Sequence, residues 1–215
     1  IIGFGSPNKS GKASSHGSPL GDKEITLVRK KLKWNNEPFE IPQEVLDEWR
    51  KIGDKGELLE KKWQELISKK NPKIIKDLEK NYINSDLGNL ESLIEKEKSK
   101  YFESKPSLAT RQCSMSTIES ISALLPQLIG GSADLSGSNN TKTNNSRIIN
   151  SKNFNGNYIH YGVREHGMAA IMNGLSLYGG LIPYGGTFLI FSDYCKPSIR
   201  LSALMGLKVI YIFSH

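Results

Sequence analysis

The sequence predicts an α/β protein with a parallel sheet flanked by helices, preceded by a mainly helical connecting segment. Between residues 128 and 213, runs of β-forming residues end in small residues and lead into stretches of helix length. This alternation is typical of βαβ units, which build parallel sheets. Residues 22–105 instead carry apolar side chains at helical spacing. We therefore expect ligand sites beyond the carboxyl ends of the later strands.

Five helices are predicted by apolar residues three or four positions apart. They cover residues 22–32, 42–52, 57–69, 90–100 and 110–124. Strands are expected at residues 128–135, 158–161, 181–184 and 208–213, and the glycines of residues 185–187 predict a turn. Residues 139–157 contain eight asparagines and few apolar residues, which predicts a polar surface loop.

Composition limits the classes of protein to which the chain can belong. It has 215 residues, of which 37% are hydrophobic and 24% charged, which suits a globular protein with a core. No run of 18 apolar residues occurs, so no membrane helix is expected. The chain begins at Ile1 and ends just after a predicted strand, which we interpret as an internal piece of a longer protein.

The net charge of +7 favours anionic ligands, among which nucleic acid must be considered. The lysine-rich residues 51–105 hold 13 lysines against 11 acidic residues, which predicts a mixed, solvated surface. Aromatic residues are not interleaved with these lysines as single-strand binding requires. We expect neither nucleic acid nor a membrane as a partner.

Cysteine usage indicates a reduced intracellular protein. Cys113 and Cys195 show neither a CxxC pair nor the Cys/His spacing of a metal site, and both are predicted to be packing residues. The glycines at residues 3 and 5 do not open a dinucleotide-binding fingerprint, because Asn8 occupies the position of its third glycine.

Glu165 stands where the chain passes from a predicted strand into a predicted helix. A carboxylate here can simply favour the positive end of the helix dipole, or it can serve a site at the sheet edge. Phe188, Phe191 and Tyr194 follow at intervals of three, which roughly shares a helix face. Ordinary core packing and an aromatic ligand pocket both explain that spacing.

Five segments in order along the chain closely resemble transketolases, which are thiamine diphosphate enzymes. The segments, at residues 3–9, 15–21, 130–135, 158–168 and 183–191, read GFGSPNK, SHGSPLG, GGSADL, YIHYGVREHGM and PYGGTFLIF. The resemblance implies the thiamin diphosphate-binding fold and reversible transfer of a two-carbon ketol unit. The donor would be a ketose phosphate such as xylulose 5-phosphate. The acceptor would be ribose 5-phosphate or erythrose 4-phosphate, in the pentose phosphate pathway.

The resemblance also assigns residues to the cofactor. It implies that the Glu165 carboxyl shares a proton with the aminopyrimidine ring as the catalytic proton donor, and that His16 reaches both the diphosphate and the substrate. Further cofactor contacts are implied for Asp134, Leu135, Phe188, Phe191 and Tyr194. Substrate contacts are implied for His16, Arg111, Ser138 and His215. A planar guanidinium suits a phosphate, whose oxygens it can meet two at a time.

Other features of the family are expected outside this chain. The metal ligands, for Mg²⁺ or Ca²⁺, are expected upstream, and no metal-ligating residue is predicted here. The chain alone is therefore expected to be inactive. Residues 1–76 would belong to the diphosphate-binding domain, 77–105 to a helical linker and 106–215 to a pyrimidine-binding domain that is truncated at its C-terminus.

The family further implies a homodimer with its active site at the subunit interface. A cytoplasmic location is expected, with a plastid as the alternative. Two other functions are left open: a ketolase similar to dihydroxyacetone synthase, and a non-catalytic regulatory relative.

Overall fold

The computed structural model describes residues 1–80, 87 and 89–214. These residues form two compact units, Ile1–Lys69 and Lys70–His215. Within the described ranges, no helix is both long enough and apolar enough to cross a membrane.

The first unit consists of a shaped loop and two helices. A 3-10 turn at Ala13–Ser15 interrupts the loop, α1 covers Asp22–Leu32 and α2 covers Gln43–Ser68. Acidic residues in the first turn of α1 and basic residues in its last turn complement the helix dipole. The prediction of two helices at 42–52 and 57–69 is wrong. The helical pattern runs on through Gly53 and Gly56, since a single helix-interior glycine costs only about 1 kcal/mol relative to alanine.

The second unit contains the sheet and six helices among the described residues. The helices are α3 (Pro72–Leu78), α4 (Leu90–Ser104), α5 (Thr110–Leu124), α6 (Ser136–Asn139), α7 (Glu165–Tyr178) and α8 (Ser192–Leu204). The strands are β1 (Leu128–Ser132), β2 (Tyr158–His160), β3 (Ile182–Phe188) and β4 (Ile210–Ser214). A further 3-10 turn, Leu189–Phe191, joins β3 to α8.

All strand pairings are parallel, in the order β2-β1-β3-β4, which confirms the predicted parallel α/β sheet. One face of the sheet packs on α5 through Ile118, Leu125, Leu128 and Tyr184. The other face meets α7 through a second buried cluster. Because consecutive strand residues point to opposite faces, the central strands contribute to both layers.

The predicted glycine turn at residues 185–187 is wrong, because β3 continues through it. A Cβ on Gly185 would lie 2.4 Å from Met172 Sδ, and one on Gly186 would lie 2.4 Å from Thr141 Cγ2. On the neighbouring strand, a Cβ on Gly130 would overlap the Tyr184 ring. These glycines are therefore in the sheet because large side chains pack directly on its backbone.

Candidate active site

The carboxyl edge of the sheet gathers most of the residues that the sequence predicts for a site. Asp134 and Leu135 follow β1, Glu165 opens α7 shortly after β2, and Phe188 ends β3. Strands β2, β1 and β3 are neighbours, so these residues share one edge. This is where ligands bind in open parallel sheets.

Glu165 is a largely enclosed carboxylate at the first position of α7. Only 8% of its surface is exposed. Among the residues that the structure describes, its carboxyl group has no hydrogen-bond or ion-pair partner. The charge of Glu165 also acts on Cys195 of α8. Burial is the main cause that raises the pKa of this thiol, and the charge of Glu165 raises it further. A carboxyl group so placed can share a proton with a ligand that enters from the sheet edge.

The aromatic residues form a contiguous group between the end of β3 and the start of α8. The ring centroids of Phe188 and Phe191 lie 5.7 Å apart, with the planes 24° from parallel. Those of Phe191 and Tyr194 lie 6.0 Å apart. The expected helix face is wrong, because Phe188 is in a strand, Phe191 in the 3-10 turn and only Tyr194 in a helix. The turn nevertheless brings the rings together, and Tyr194 remains 65% exposed for a ligand.

Asp134 has a left-handed backbone, with a φ of 60°. Non-glycine residues in this region are strained and are concentrated at functional sites. Two hydrogen bonds hold the backbone on either side of it: Ala133 N donates to Gly186 O over 3.0 Å, and Leu135 N donates to Ser132 Oγ over 3.1 Å. The surrounding structure thus holds the backbone on both sides of Asp134, whose side chain is exposed.

Arg111 and Ser138, predicted to bind the substrate phosphate, lie together. The Arg111 guanidinium donates from Nη1 to the Ser138 carbonyl over 3.1 Å. Arg111 is in the first turn of α5 and Ser138 is in α6, 27 residues apart. The remaining N–H groups of the exposed guanidinium are available to an anion.

A buried polar network beneath α6 was missed by sequence reasoning. Asn139 is fully buried, and turning its amide so that Nδ2 faces Leu135 O satisfies both ends of the group. In that orientation Nδ2 donates to Leu135 O (2.8 Å) and Thr141 Oγ1 (2.9 Å), while Oδ1 accepts from Ser132 Oγ (3.1 Å) and Thr187 N (3.3 Å). The amide therefore ties the segment after Asp134 to the end of β3.

Two tyrosines extend this network across the sheet. Tyr158 OH lies 2.7 Å from Ser136 Oγ and 3.0 Å from Thr141 Oγ1, and Tyr184 OH donates to Thr141 O over 3.0 Å. Burial raises the pKa of both tyrosines. The expectation of a surface loop at 139–157 is thus wrong for its first residues, since Asn139, Thr141 and Thr143 are buried.

A second polar cluster fixes α7 against α8. Asn173 Nδ2 donates to Ser198 O over 2.9 Å, and Ser202 Oγ donates to Asn173 Oδ1 over 2.6 Å. The Ser198 hydroxyl lies 3.2 Å from His166 Nδ1, next to Glu165. The helix that carries Tyr194 is therefore held in register with the helix that begins at Glu165.

The remaining predicted site residues lie elsewhere in the chain. His16 is an exposed residue of the first unit, directly after the 3-10 turn. His215 lies outside the described residues. Across the described part of the chain, no three His, Cys, Asp or Glu side chains are grouped as a metal ion would require.

The second unit also contains an apolar cleft of about 510 Å³ at the opposite edge of the sheet. Among the described residues that line it, Lys208 is the one with a charged side chain, beside Leu125, Leu128, Ile182 and Leu207. The described lining residues of this cleft include no acidic side chain, whereas Glu165 and Asp134 lie at the carboxyl edge.

Family models match both parts of the chain. The transketolase pyrimidine binding domain matches residues 106–215, and the transketolase thiamine diphosphate binding domain matches residues 1–86. The chain belongs to the transketolase family. The recognition made from the five sequence segments is thereby confirmed, and so is the thiamin diphosphate-binding fold.

Relatives named transketolase match the whole chain. The transketolase of Buchnera aphidicola subsp. Acyrthosiphon pisum is 47% identical over 219 residues, covering 100% of this chain and 32% of the relative. That of Sinorhizobium medicae is 45% identical, over 100% of this chain and 30% of the relative. The chain thus spans about a third of the length of these relatives.

Solved transketolases share its fold. The Pichia stipitis transketolase in complex with sedoheptulose 7-phosphate is 31% identical, with a TM-score of 0.83 over 99% of this chain and 32% of that one. Transketolase from Leishmania mexicana is 32% identical, with a TM-score of 0.80 over 99% of this chain and 31% of that one.

Proposed function

We propose that the protein containing this chain is a transketolase. It transfers a two-carbon ketol unit reversibly from a ketose phosphate such as xylulose 5-phosphate to ribose 5-phosphate or erythrose 4-phosphate, as in the pentose phosphate pathway. The enclosed Glu165 carboxyl carries this proposal, because it lies at the carboxyl edge of the sheet, where β3 ends in the first of the three aromatic residues. Relatives named transketolase, and a relative with a bound sugar phosphate, favour this function over the two alternatives.

The residues at the sheet edge fit the pyrimidine end of thiamine diphosphate. When bound, this cofactor supplies the nucleophilic carbon that breaks and forms the carbon–carbon bond. Phe188, Phe191 and Tyr194 offer apolar surface for its ring, while Glu165 holds a shared proton at the ring nitrogen. Asp134 and Leu135, fixed by the Ser132–Asn139 network, line the neighbouring side.

The cofactor's diphosphate and its metal need further groups. The ligands of Mg²⁺ or Ca²⁺ are proposed upstream of this chain, as the resemblance to the family implies. His16 would contact the diphosphate and the reacting sugar. Residues 1–76 would then belong to the diphosphate-binding domain, residues 77–105 to a linker and residues 106–215 to the pyrimidine-binding domain.

Sugar phosphates would be held at their charged end. Arg111 donates one N–H to the Ser138 carbonyl, so its exposed guanidinium lies beside Ser138. The Ser138 hydroxyl and the Arg111 guanidinium can then bind a single phosphate group. His16 and His215 would hold the sugar hydroxyls.

The assembly and location follow from the same assignment. A homodimer is proposed, with the active site at the interface of its subunits, and this chain alone is expected to be inactive. Two free cysteines, Cys113 and the buried Cys195, fit a reducing compartment such as the cytoplasm.

The test is transfer from xylulose 5-phosphate to ribose 5-phosphate by the full-length protein, with and without thiamine diphosphate and Mg²⁺. Cofactor-dependent formation of the seven-carbon product is the expected result. A folded, cofactor-loaded dimer that leaves ribose 5-phosphate unused but accepts formaldehyde would move the assignment to a dihydroxyacetone synthase. A folded dimer that does not bind the cofactor would identify a non-catalytic relative.

A further inference from the structure

We infer that Glu24 is a positioning residue for His16. Glu24 lies in the first turn of α1 and is 8% exposed, although it is charged and belongs to a mostly exposed helix. Buried carboxylates are rare unless they are partnered. Its partners all belong to the glycine-rich loop of residues 1–21, the loop that carries His16. The inference rests on the proposed function, in which His16 contacts the cofactor and the sugar.

Three donors from the loop converge on the two carboxylate oxygens. Ser6 Oγ and Asn8 N donate to Glu24 Oε1, the second over 2.9 Å, and Asn8 Nδ2 donates to Oε2 over 2.9 Å. Hydrogen bonds from Ser6, then from the side chain and backbone of Asn8, lower the pKa of Glu24 from 4.5 to about 2. Glu24 therefore stays ionised, and the loop binds its charged form.

The contact continues from Glu24 to the residue before His16. Lys9 N donates to the same Ser6 Oγ over 2.8 Å, and Lys9 O accepts from Ser15 Oγ over 2.5 Å. His16 N in turn donates to Ala13 O over 2.9 Å. Hydrogen bonds thus run from the carboxylate through Ser6 and Lys9 to Ser15, which a peptide bond joins to His16.

Lys9 also holds the far end of the loop. Lys9 Nζ donates to Leu20 O over 2.9 Å, so both ends of the segment 9–20 meet at Lys9. Close packing reinforces this closure: a Cβ on Gly3 would lie 3.0 Å from Ser15 Oγ, and one on Gly5 would lie 3.1 Å from Leu32 Cδ1 of α1. The loop is therefore built around one conformation, and Glu24 is the charged group that anchors it to a helix.

This arrangement supplies what catalysis by a loop residue requires. An exposed histidine on a free loop samples many positions, whereas productive contacts with a substrate tolerate errors of less than about 1 Å. Glu24 lies outside the predicted contacts with cofactor and substrate. Its effect on the reaction would pass through the loop.

The experiment compares Glu24→Gln with the wild type in the full-length enzyme by hydrogen–deuterium exchange and steady-state kinetics. The glutamine amide would present an NH₂ group to donors. We expect faster amide exchange in residues 9–20, and a loss of about 10- to 100-fold in kcat/KM for xylulose 5-phosphate. Glu24→Asp keeps both oxygens and should recover part of the loss. Asp22→Asn, an exposed change in the same turn, is the matched control and should resemble the wild type.

A double variant separates positioning from mere stabilisation. If Glu24 acts through His16, then His16→Ala combined with Glu24→Gln should be no worse than His16→Ala alone, because coupled changes are not additive. Losses that multiply, or unchanged exchange in residues 9–20, would overturn the inference. If the wild type shows no transfer, the proposed function fails, and the exchange measurement alone then decides whether Glu24 orders the loop.

Discussion

The Arg111 guanidinium donates a hydrogen bond to the backbone carbonyl of Ser138 over 3.1 Å, joining the start of α5 to α6. The contact uses one of five guanidinium donors. It places the cation beside the loop that follows β1, at the edge of the sheet where Glu165 also lies.

Replacing Arg111 with alanine should selectively weaken the binding of phosphorylated substrates. Loss of a charge-assisted phosphate contact costs about 1.5–3 kcal/mol, which raises the KM for xylulose 5-phosphate roughly 10- to 150-fold. Initial rates with xylulose 5-phosphate and with a non-phosphorylated ketose provide the comparison. Arg111→Lys should recover only part of the affinity, because lysine lacks the planar fork. Arg50→Ala, on the exposed surface of α2, is the control. Equal losses for both ketoses would contradict a phosphate contact.

Glu165→Gln should lower kcat by about 10²–10⁴-fold, because an amide cannot exchange a proton with the cofactor ring. Cofactor affinity should change far less than turnover, since shape and burial are retained. Stopped-flow turnover and calorimetric binding of thiamine diphosphate measure the two effects. Asp193→Asn, an exposed acidic residue in the first turn of α8, is a matched control. Turnover near that of the wild type would show that Glu165 does not take part in the proton transfer.

Phe191→Ala should weaken cofactor binding by about tenfold through loss of ring stacking and apolar contact. Phe191 is the central member of the aromatic group, within 5.7 Å of Phe188 and 6.0 Å of Tyr194 between centroids. Isothermal titration of the apo enzyme with thiamine diphosphate and Mg²⁺ gives the affinity. Phe102→Ala, an exposed aromatic on α4, should leave the affinity unchanged. If the affinity of Phe191→Ala for the cofactor is unchanged, the three aromatic residues serve only to pack the protein.

Acid should remove the stabilisation that Glu24 provides. Its folded pKa of about 2 lies below the ordinary value of 4.5, so the stabilisation is present above pH 4.5 and is lost as the pH falls toward 2. The difference in melting temperature between the wild type and Glu24→Gln should be largest near neutral pH and shrink below about pH 4.5. Thermal denaturation from pH 7 to pH 3 measures it. A difference that grows on acidification would have the wrong sign.

Asn139→Leu should destabilise the second unit by about 2–3 kcal/mol, because an apolar side chain of similar size leaves buried polar partners unpaired. Those partners are Ser132 Oγ, Leu135 O, Thr141 Oγ1 and Thr187 N. Urea denaturation followed by circular dichroism gives the change in unfolding free energy. Asn145→Leu, in the exposed part of the same loop, controls for loss of an asparagine. Equal stability of Asn139→Leu and the wild type would show that the network does not hold the loop.

Local patterns in the sequence were sufficient for α1 and α5 and for the carboxyl edge of the sheet. The bounds of α1 and α5 agree with the predicted residues 22–32 and 110–124, because their apolar spacing is undisturbed from end to end. A turn was wrongly predicted at Gly185 and Gly186, because glycine is typical of turns in short segments. Here glycine instead leaves room for Met172 and Thr141, a contact that forms only when the chain has folded.

Among the residues of the site, some could likewise be predicted from a short segment and others only from the folded chain. Glu165 stood out because a strand-to-helix turn with a carboxylate is visible in a short segment. Asn139 could not be recognised, since its partners include Thr187, 48 positions along the chain. The sequence alone did not single out Glu24, because only the folded loop reveals that Ser6 and Asn8 are its partners.

All three tryptophans of the chain, at positions 34, 49 and 63, belong to the unit Ile1–Lys69. The sheet, its buried tyrosines and Glu165 belong to the other unit. Indole emission excited at long wavelength therefore reports on the helical unit, while tyrosine ellipticity in the near ultraviolet reports chiefly on the sheet. Each unit of this chain therefore has its own intrinsic spectroscopic signal, so the order in which the two units unfold can be measured without an added dye.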